Sequence, residues 1–474
     1  MICCARTTGA GLNEPRIMAG ELIITVSGLR GIVGENLTAG VAADYGRAFA
    51  SFLRSKSGDG NKASVCLGRD SRPSGQSLAA AVASGLTATG IDVVDLGIVT
   101  TPGVGIMVRH LACAGGVIVT ASHNPAQYNG IKLLLDNGMA PPPDVAEQIK
   151  ICFEIRDFFS NDRLKPGSVA ANNEADSVHI TKVLRIIDQK SIAEKHFTVV
   201  LDSVNGAGGR AGAKLLAALG CKVIPLNNEP TGLFTHPPEP TAENLTGLCQ
   251  AVKDARADVG FAQDPDADRL AIVDETGVYI GEEYTLALAA KLIFSQKSGA
   301  AATNLSTSRM IDDIAKAAGG RVIRTPVGEA NVAAAMLEHN CIIGGEGNGG
   351  VIDLRVGPIR DSLVAMAMVL QLMTQTGRAV SRLAAEIGGY FMTKLKVPAD
   401  KKTATLLINA AKKLFPNAKL NTTDGCRFDL PDAWFHIRPS NTEPILRIIG
   451  EAKDRATIQK YIDAVLNIRK QSAD

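Results

Sequence analysis

Short apolar runs rich in β-branched residues alternate with longer Ala/Leu-rich runs along most of the chain. In the first part, residues 64–68, 91–96 and 116–120 are predicted to be strands, and residues 77–86 a helix. Alternation of this kind is typical of βαβ units, in which helices cover a mostly parallel sheet.

The alternation of strands and helices restarts twice and then gives way to a series of closely spaced strands. A strand at 197–202 opens a second unit, and a third begins near Gly281. After about residue 390 several short strands follow one another closely, which is typical of an antiparallel sheet. We therefore predict an α/β protein with three related mixed-sheet α/β domains and a C-terminal α+β domain.

The predicted boundaries follow from these pattern changes. A polar stretch at 161–176 is predicted to link the first two units. The first residues carry arginines but no apolar signal core, so they are expected to be disordered or to precede a start at Met18. The predicted divisions are a disordered extension at 1–20, domain I at 21–160, domain II at 177–276, domain III at 277–385 and domain IV at 390–474.

Composition narrows the class of protein. The 474 residues are 46% hydrophobic and 21% charged, as in ordinary globular proteins. A net charge of +2 and 4% aromatic residues argue against a nucleic-acid partner, and no apolar run is long enough to cross a membrane. The nine scattered cysteines lack any CxxC pair, which predicts a reducing, cytoplasmic location rather than a disulfide framework.

A serine follows one of the predicted strands. Ser122 lies in Thr120–Pro125, where Asn124-Pro125 favours a turn, and ligands bind where parallel strands end. A plain turn is an equal alternative, because the string lacks the G-x-S-x-G pattern of a nucleophile elbow. His123 is expected to point away from Ser122, and Asn129–Lys132 is predicted to form another turn that carries a lysine.

Three aspartates alternate in a second string, at Asp264, Asp266 and Asp268. Residues i, i+2 and i+4 of an extended segment project to one side, where the carboxylates would repel one another unless a cation held them. A calcium loop is disfavoured, because Arg269 stands where that loop needs glycine. Mg²⁺ fits better, a solvated acidic turn is the alternative, and a serine beside such a metal suggests phosphoryl transfer.

Two further strings are weaker by themselves. The glycine-rich segment 344–350 carries Glu346 and Asn348, which could bind sugar hydroxyls. The segment 438–444 and the residues after it offer groups suited to a phosphate dianion: Arg438, Ser440, Asn441, Thr442 and Arg447. A flexible turn explains the first string equally well, and a polar hairpin would be the favoured explanation of the second string if it stood alone.

Together, and in this order, these strings resemble the α-D-phosphohexomutase family, from about Leu22 to Leu466. Further segments carry the resemblance at 27–31, 68–75 and 234–240. It implies four domains around a central cleft. It also implies that Ser122 carries a phosphoryl group and exchanges it with hexose phosphates through a 1,6-bisphosphate.

The resemblance also implies roles for the other candidates. Mg²⁺ would be held by Ser122 and the three aspartates, and Arg269 would lie beside the transferring group. Glu346 and Asn348 would bind sugar hydroxyls, and the segment from Arg438 to Thr442, with Arg447 nearby, would hold the second phosphate. Residues 328–330 are expected near the same sugar site. The protein is expected to be a monomer or homodimer.

This chain departs from many relatives in the sugar loop. They often carry serine where Asn348 stands and histidine where Gly350 stands, so any acid/base role of that histidine must be absent or filled here by Arg30, His123 or Lys132. The Glu-Gly-Asn-Gly-Gly version resembles a branch commonly assigned to phosphoglucosamine mutase. Alternatives are a phosphoglucomutase/phosphomannomutase and, more remotely, a metal-dependent sugar phosphatase or a non-catalytic sugar-phosphate binder.

Overall fold

The computed structural model describes residues 22–26, 28–57, 63–160, 165–440 and 445–471. The predicted extension at 1–20, with Met18, lies outside these residues, as do Ser27 and the phosphate-loop candidates Asn441 and Thr442.

The first sheet has seven strands in the order β1-β2-β6-β5-β3-β4-β7. Its strands are β1 (Ile23–Thr25), β2 (Gly28–Ile32), β3 (Ser64–Arg69), β4 (Asp92–Ile98), β5 (Gly115–Val119), β6 (Tyr128–Leu135) and β7 (Val169–Ala171). The helices of this part are α1 (Ala39–Ser57), α2 (Gly75–Ala88), α3 (Thr101–His110) and α4 (Pro143–Ile155). Strands β5, β3, β4 and β7 run parallel, and the rest pair antiparallel.

Two smaller sheets follow, each with four strands. The second part contains α5 (Ala175–Leu184), α6 (Gln189–Ala193), β8 (Thr198–Asp202), α7 (Gly209–Ala218), β9 (Lys222–Leu226), α8 (Thr246–Ala255), β10 (Val259–Gln263) and β11 (Leu270–Val273). The third contains α9 (Glu283–Gln296), β12 (Ala300–Asn304), α10 (Met310–Ala317), β13 (Arg321–Thr325), α11 (Glu329–Glu338), β14 (Ile343–Glu346), β15 (Gly350–Ile352), α12 (Ser362–Thr376) and α13 (Val380–Ile387).

The three sheets share one topology. Within each unit the strands lie in the order fourth, third, first, second. These orders are β6-β5-β3-β4, β11-β10-β8-β9 and β15-β14-β12-β13. In every case the third and fourth strands form an antiparallel hairpin, whereas the other pairs are parallel. The prediction of three related mixed-sheet units is confirmed.

Two local predictions were wrong, and a third segment, the predicted linker, is partly ordered as a strand. Asn129–Lys132 lies within strand β6 and is no turn. Much of the glycine-rich segment is hairpin strand, since Glu346 pairs with Gly350. The predicted linker contributes the edge strand β7, which pairs with β4. In each case tertiary pairing outweighed a local signal from polar or small residues.

The last sheet is antiparallel throughout, in the order β16-β20-β19-β18-β17, which confirms the predicted α+β unit. Its elements are β16 (Phe391–Pro398), α14 (Lys401–Leu414), β17 (Lys419–Asn421), β18 (Cys426–Asp429), β19 (Ala433–Pro439), β20 (Ile445–Ala452) and α15 (Arg455–Gln471). Phe428 and Phe435 stack at 4.6 Å in its separate core.

Helix α12 lies at the centre of the largest core, which includes residues of both the second and third sheets. Asp361 caps the helix, because its carboxylate accepts hydrogen bonds from the backbone N–H groups of Leu363 and Val364. Residues 362–373 are all buried, as expected for a helix that is apolar on every side. Among the described residues, no single helix meets the length and composition of a membrane span, and α12 and α13 do so only as a pair bent by 89°.

Candidate active site

Equivalent hairpin turns of the three related units carry the candidate residues. The β5–β6 turn carries Ser122, the β10–β11 turn carries the aspartates, and the β14–β15 turn carries Asn348. The turns contact one another: Ser122 Oγ donates to Asp264 Oδ2 at 2.9 Å, and the backbone N–H of Leu270 donates to the carbonyl of Gly349 at 3.0 Å. One repeated structural position therefore carries candidate residues of three different kinds.

The serine turn is rigidly held. Ser122 is buried and has φ of +50°, a left-handed conformation that costs an L-residue roughly 1–2 kcal/mol. The fully buried guanidinium of Arg72 donates five hydrogen bonds, one to the carboxylate of Asp70 and four to backbone carbonyls at Ser122, Asn124, Pro125 and Tyr128. The ring of Phe234 lies 5.0 Å from the same group. Arg72 lies in the segment 68–75 that carries the family resemblance, but its local sequence does not predict this role.

The three aspartates form one buried group. Each offers a carboxylate oxygen, and these oxygens lie within 4.8 Å of one another. The Oδ1 atoms of Asp266 and Asp268 are buried and have no hydrogen-bond partner among the described residues. Because orphaned carboxylate oxygens are costly in a protein interior and are the ligands that Mg²⁺ prefers, this group fits a divalent cation.

Neighbouring groups set the charges of these carboxylates. Burial and the other two aspartates raise the pKa of Asp264 well above its usual value. Burial also acts to raise the pKa of Asp266, but Lys132 Nζ at 2.8 Å and Thr101 Oγ1 at 2.7 Å outweigh it and lower that pKa. Helix α3 places Thr101 at its first position, and the hydroxyl of the preceding Thr100 caps the helix by accepting from the N–H of Gly103.

The three acid/base candidates lie around the serine and the carboxylates. Lys132 Nζ is also 3.7 Å from Asp268, and although burial acts to lower its pKa, the two aspartates raise it. Burial lowers the pKa of Arg30, which lies in β2. The expectation that His123 points away from the serine was wrong: its Nδ1 is 3.3 Å from Ser122 Oγ, and Arg269 together with burial holds its pKa well below the usual value.

The third turn contains the candidate sugar groups. Glu346 Oε1 accepts from Asn304 Nδ2 at 2.7 Å and from the N–H of Gly328 at 3.0 Å, and Oε2 accepts from Arg360 at 2.7 Å. Asn348 Oδ1 is buried and finds no hydrogen-bond partner within the described part of the chain. Asn304 and Arg360 were not predicted, because nothing in their local sequence marks them.

The fourth sheet brings two arginines together. Arg438 in β19 and Arg447 in β20 are directly opposite in the strand register, and like charges in that arrangement repel. Arg438 Nε lies 3.3 Å from Asp424 Oδ2, which also accepts from the N–H of Val327 in the third unit. The N–H of Ser440 donates to the carbonyl of Ile445 and closes the hairpin. Two guanidinium groups side by side offer the donors that a phosphate dianion prefers.

A buried histidine supports this corner. Burial lowers the pKa of His436 to about 4, so the imidazole is neutral at pH 7. Its Nε2 lies 2.6 Å from the carbonyl of Asp424 and therefore donates, whereas Nδ1 accepts from the hydroxyl of Ser306 at 2.9 Å. His436 thus ties the segment that carries Asp424 to the third unit.

Comparison with known proteins places the chain in a family. Four sequence models described as phosphoglucomutase/phosphomannomutase match it in succession: alpha/beta/alpha domain I at 22–159, domain II at 177–277, domain III at 281–390, and the C-terminal domain at 392–468. The chain belongs to the phosphoglucomutase/phosphomannomutase family. The resemblance to α-D-phosphohexomutases is confirmed.

Relatives within the phosphoglucomutase/phosphomannomutase family align over nearly the whole chain. A "phosphoglucomutase/phosphomannomutase" of Thermococcus kodakarensis is 38% identical, with 94% of this chain and 98% of the relative covered. A "probable phosphoglucosamine mutase" of Methanopyrus kandleri is 37% identical with the same coverage. The crystal structure of a family protein from Burkholderia thailandensis superposes with a TM-score of 0.83 at 28% identity, covering 94% of this chain and 98% of the other.

Proposed function

We propose that this protein is a phosphohexomutase that interconverts hexose 6-phosphates and 1-phosphates, with glucosamine phosphate as its preferred substrate. The observation that carries the proposal is the contact of Ser122 Oγ with Asp264 at 2.9 Å, inside a buried carboxylate group with two orphaned oxygens. A hydroxyl against a divalent-cation site suits a phosphoryl carrier.

The proposed cycle begins with phosphorylated Ser122. The bond between the Ser122 oxygen and phosphorus breaks, a bond from a sugar oxygen to phosphorus forms, and the sugar hydroxyl gives up its proton. Mg²⁺ would neutralise charge on the phosphoryl group during transfer. It would be held by Asp264, Asp266, Asp268 and an oxygen of the phosphoserine. In the second half the other phosphate of the 1,6-bisphosphate returns to the serine.

Two of the three acid/base candidates have suitable protonation states. Lys132 is held charged by Asp266 and Asp268, so it can donate a proton to the leaving serine oxygen. His123 is held neutral near Arg269, and its Nδ1 lies 3.3 Å from Ser122 Oγ, so it can accept one. Arg30 and Arg269 would act as fixed positive charges beside the transferring group.

The sugar and the second phosphate occupy the remaining sites in this proposal. Glu346 and the orphaned Asn348 would bind hydroxyl or amino groups of the sugar. Arg438, Arg447 and Ser440, with Asn441 and Thr442, would hold the phosphate that does not react. One fixed phosphate site lets either end of the sugar face Ser122. We further propose a cytoplasmic location, a monomer or homodimer, and no nucleic-acid or membrane partner.

A second candidate differs only in the sugar. The Thermococcus kodakarensis relative is named a phosphoglucomutase/phosphomannomutase, whereas the Methanopyrus kandleri relative is named a probable phosphoglucosamine mutase, at nearly equal identity. The Glu-Gly-Asn-Gly-Gly string of the third turn favours the amino sugar. Glucose and mannose phosphates are therefore the competitors to include in any assay.

A panel of glucosamine, glucose and mannose 6-phosphates, with Mg²⁺ and a trace of the matching 1,6-bisphosphate, tests the proposal. We expect 1-phosphate products, fastest with glucosamine, and an intact mass that shows one phosphoryl group. Absence of any isomerised product would reject the mutase. Inorganic phosphate without isomer would indicate a sugar phosphatase, and binding without turnover a sugar-phosphate binder.

A further inference from the structure

Arg360 lies where the metal turn and the sugar turn meet. Its side chain is 11% exposed, and its guanidinium contacts three carboxylates: Asp268 Oδ2 at 2.6 Å, Glu346 Oε2 at 2.7 Å and Glu329 Oε2 at 3.1 Å. Asp268 belongs to the carboxylate group of the second unit, whereas Glu346 belongs to the third. The guanidinium of Arg360 therefore joins the proposed metal site to the proposed sugar site.

Gly350 makes room for this arginine. A Cβ atom on residue 350 would lie 2.1 Å from Cδ of Arg360 and 2.7 Å from its Cγ, which is closer than atoms can approach. Any side chain at position 350 would therefore displace the arginine from its three partners. The glycine at the end of the sugar turn is thus explained by packing against Arg360, and its φ is not in the left-handed region.

The backbone that follows Arg360 is fixed. The next residue, Asp361, caps α12 with one carboxylate oxygen, and its other oxygen lies 2.6 Å from Nε2 of the buried His179 in α5. Ser362 donates from both its N–H and its hydroxyl to the carbonyl of Ala267, between two of the aspartates. The arginine is therefore anchored to the metal turn through the backbone as well as through its side chain.

Arg360 also limits what Glu346 can bind. The three hydrogen bonds to Glu346 occupy both sites of Oε1 and one of Oε2, where each carboxylate oxygen accepts about two. One acceptor site is left on Oε2, beside the guanidinium. A sugar donor that reaches Glu346 must approach this site, so the arginine sets the direction of the contact.

We infer that Arg360 is a positioning residue that holds the carboxylates of Asp268 and Glu346 in one frame, and that Gly350 is the residue that permits it. The part of the inference that concerns substrate rests on the proposed function, whereas the part that concerns metal does not. The two sites are therefore coupled. A substitution in the sugar turn that displaces Arg360 should weaken metal binding in the neighbouring unit.

The test uses R360K, G350A and the double variant, with Mg²⁺ affinity measured by calorimetry and with kcat and KM determined separately. We expect R360K and G350A each to raise the Mg²⁺ dissociation constant by about 10-fold to 100-fold. Each should also raise KM for glucosamine 6-phosphate by about 10-fold, which general damage to the fold would not do selectively. The double variant should be no worse than the worse single one, because both remove the same contacts.

Two substitutions in the same segment serve as matched controls. G357A adds a Cβ that would meet its nearest atom, on Ile106, at an ordinary 3.5 Å. R355K alters an arginine that pairs with Asp353, away from the aspartate group. Both should leave Mg²⁺ affinity unchanged.

Three results would overturn the inference: unchanged Mg²⁺ affinity in R360K, unchanged affinity in G350A, or effects of the two that multiply in the double variant. If R360K fails to fold by circular dichroism, G350A, which keeps the arginine, decides. If wild-type protein binds Mg²⁺ but isomerises no sugar phosphate, the proposed function fails while the metal measurements still test Arg360.

Discussion

The corner around Ser122 and the arginine pair of the fourth sheet are built in opposite ways. At the serine, residues of all three related units already satisfy one another, and the described structure leaves two orphaned oxygens in the aspartate group. In the fourth sheet, Arg438 and Arg447 face each other across two strands, and Asp424 lies 3.3 Å from Arg438. The serine corner is therefore held in place before any ligand binds, whereas the fourth sheet places two guanidinium groups side by side, an arrangement that we propose captures phosphate.

The two regions also differ in how they are attached. The backbone of the serine turn is held by Arg72 of its own unit, whereas the corner of the arginine pair is held by contacts between the third and fourth units. The Glu451 carboxylate in β20 accepts from the N–H of Arg309 and from the indole of Trp434, and Arg427 stacks on the same indole at 3.9 Å. Changes at the serine should therefore affect turnover, and changes at the arginines should affect capture of substrate.

Removing the phosphoryl carrier should have the largest effect. S122A should lower kcat by roughly 10³-fold or more, because no other hydroxyl is held against Asp264 within the described structure. Its intact mass should lack a phosphoryl group. S77A, which changes an exposed serine on α2, should keep full activity and the phosphoryl mass. If S122A kept the phosphoryl group or most of the activity, Ser122 would not be the residue that carries the phosphoryl group.

Weakening the aspartate group should have the next largest effect. D266N preserves size but removes the charge that faces Lys132, so the Mg²⁺ dissociation constant should rise by about 100-fold in calorimetry. Binding of glucosamine 6-phosphate without metal should change little. D254N, at an exposed position of α8, is the matched control. Equal metal affinity in D266N and wild type would place the cation elsewhere.

Substitution in the fourth sheet should produce a different kinetic signature. R438Q should raise KM by about 10-fold to 100-fold with a much smaller change in kcat, since a hydrogen bond to a charged group contributes about 1.5–3 kcal/mol. R455Q, on the exposed side of α15, should leave KM unchanged. If R438Q lowered kcat and left KM unchanged, the arginine pair would act in turnover and not in substrate capture.

Acid should loosen the fourth unit through His436. The pKa of His436 is about 4 in the folded protein, against about 6.5 in an unfolded chain, so between these values the unfolded chain binds more protons. Stability is therefore full above about pH 6.5 and falls as the pH is lowered toward 4, by up to about 3 kcal/mol. Urea titrations followed by fluorescence of Trp434, the only tryptophan in the sequence, would measure this slope. In H436N the slope should flatten, and an unchanged slope would assign it to other groups.

The sequence allowed the strands, the aspartate group and the order of the four chemical strings to be predicted, because these are local patterns. The equivalence of the three turns was not visible, because it depends on β6 being a strand, and Asn129-Gly130 there looks like a turn. Arg360 could not have been found from spacing: it lies 92 residues from Asp268, and its contact exists only because α12 begins beside the metal turn. His123 was misplaced because Ser122 adopts a left-handed backbone that alternation rules do not anticipate.

The hydrogen bonds from Arg72 to the serine turn determine whether the turn or the bound bisphosphate moves during the proposed cycle. Four hydrogen bonds from Arg72 to backbone carbonyls keep the turn from swinging toward one phosphate and then the other, and Asp70 and the ring of Phe234 hold Arg72 itself. The half-turn between the two transfers must therefore be made by the bisphosphate itself. The pace of reorientation then depends on how fast the arginine pair releases one phosphate and recaptures the other, and the leak of free intermediate depends on the same two rates.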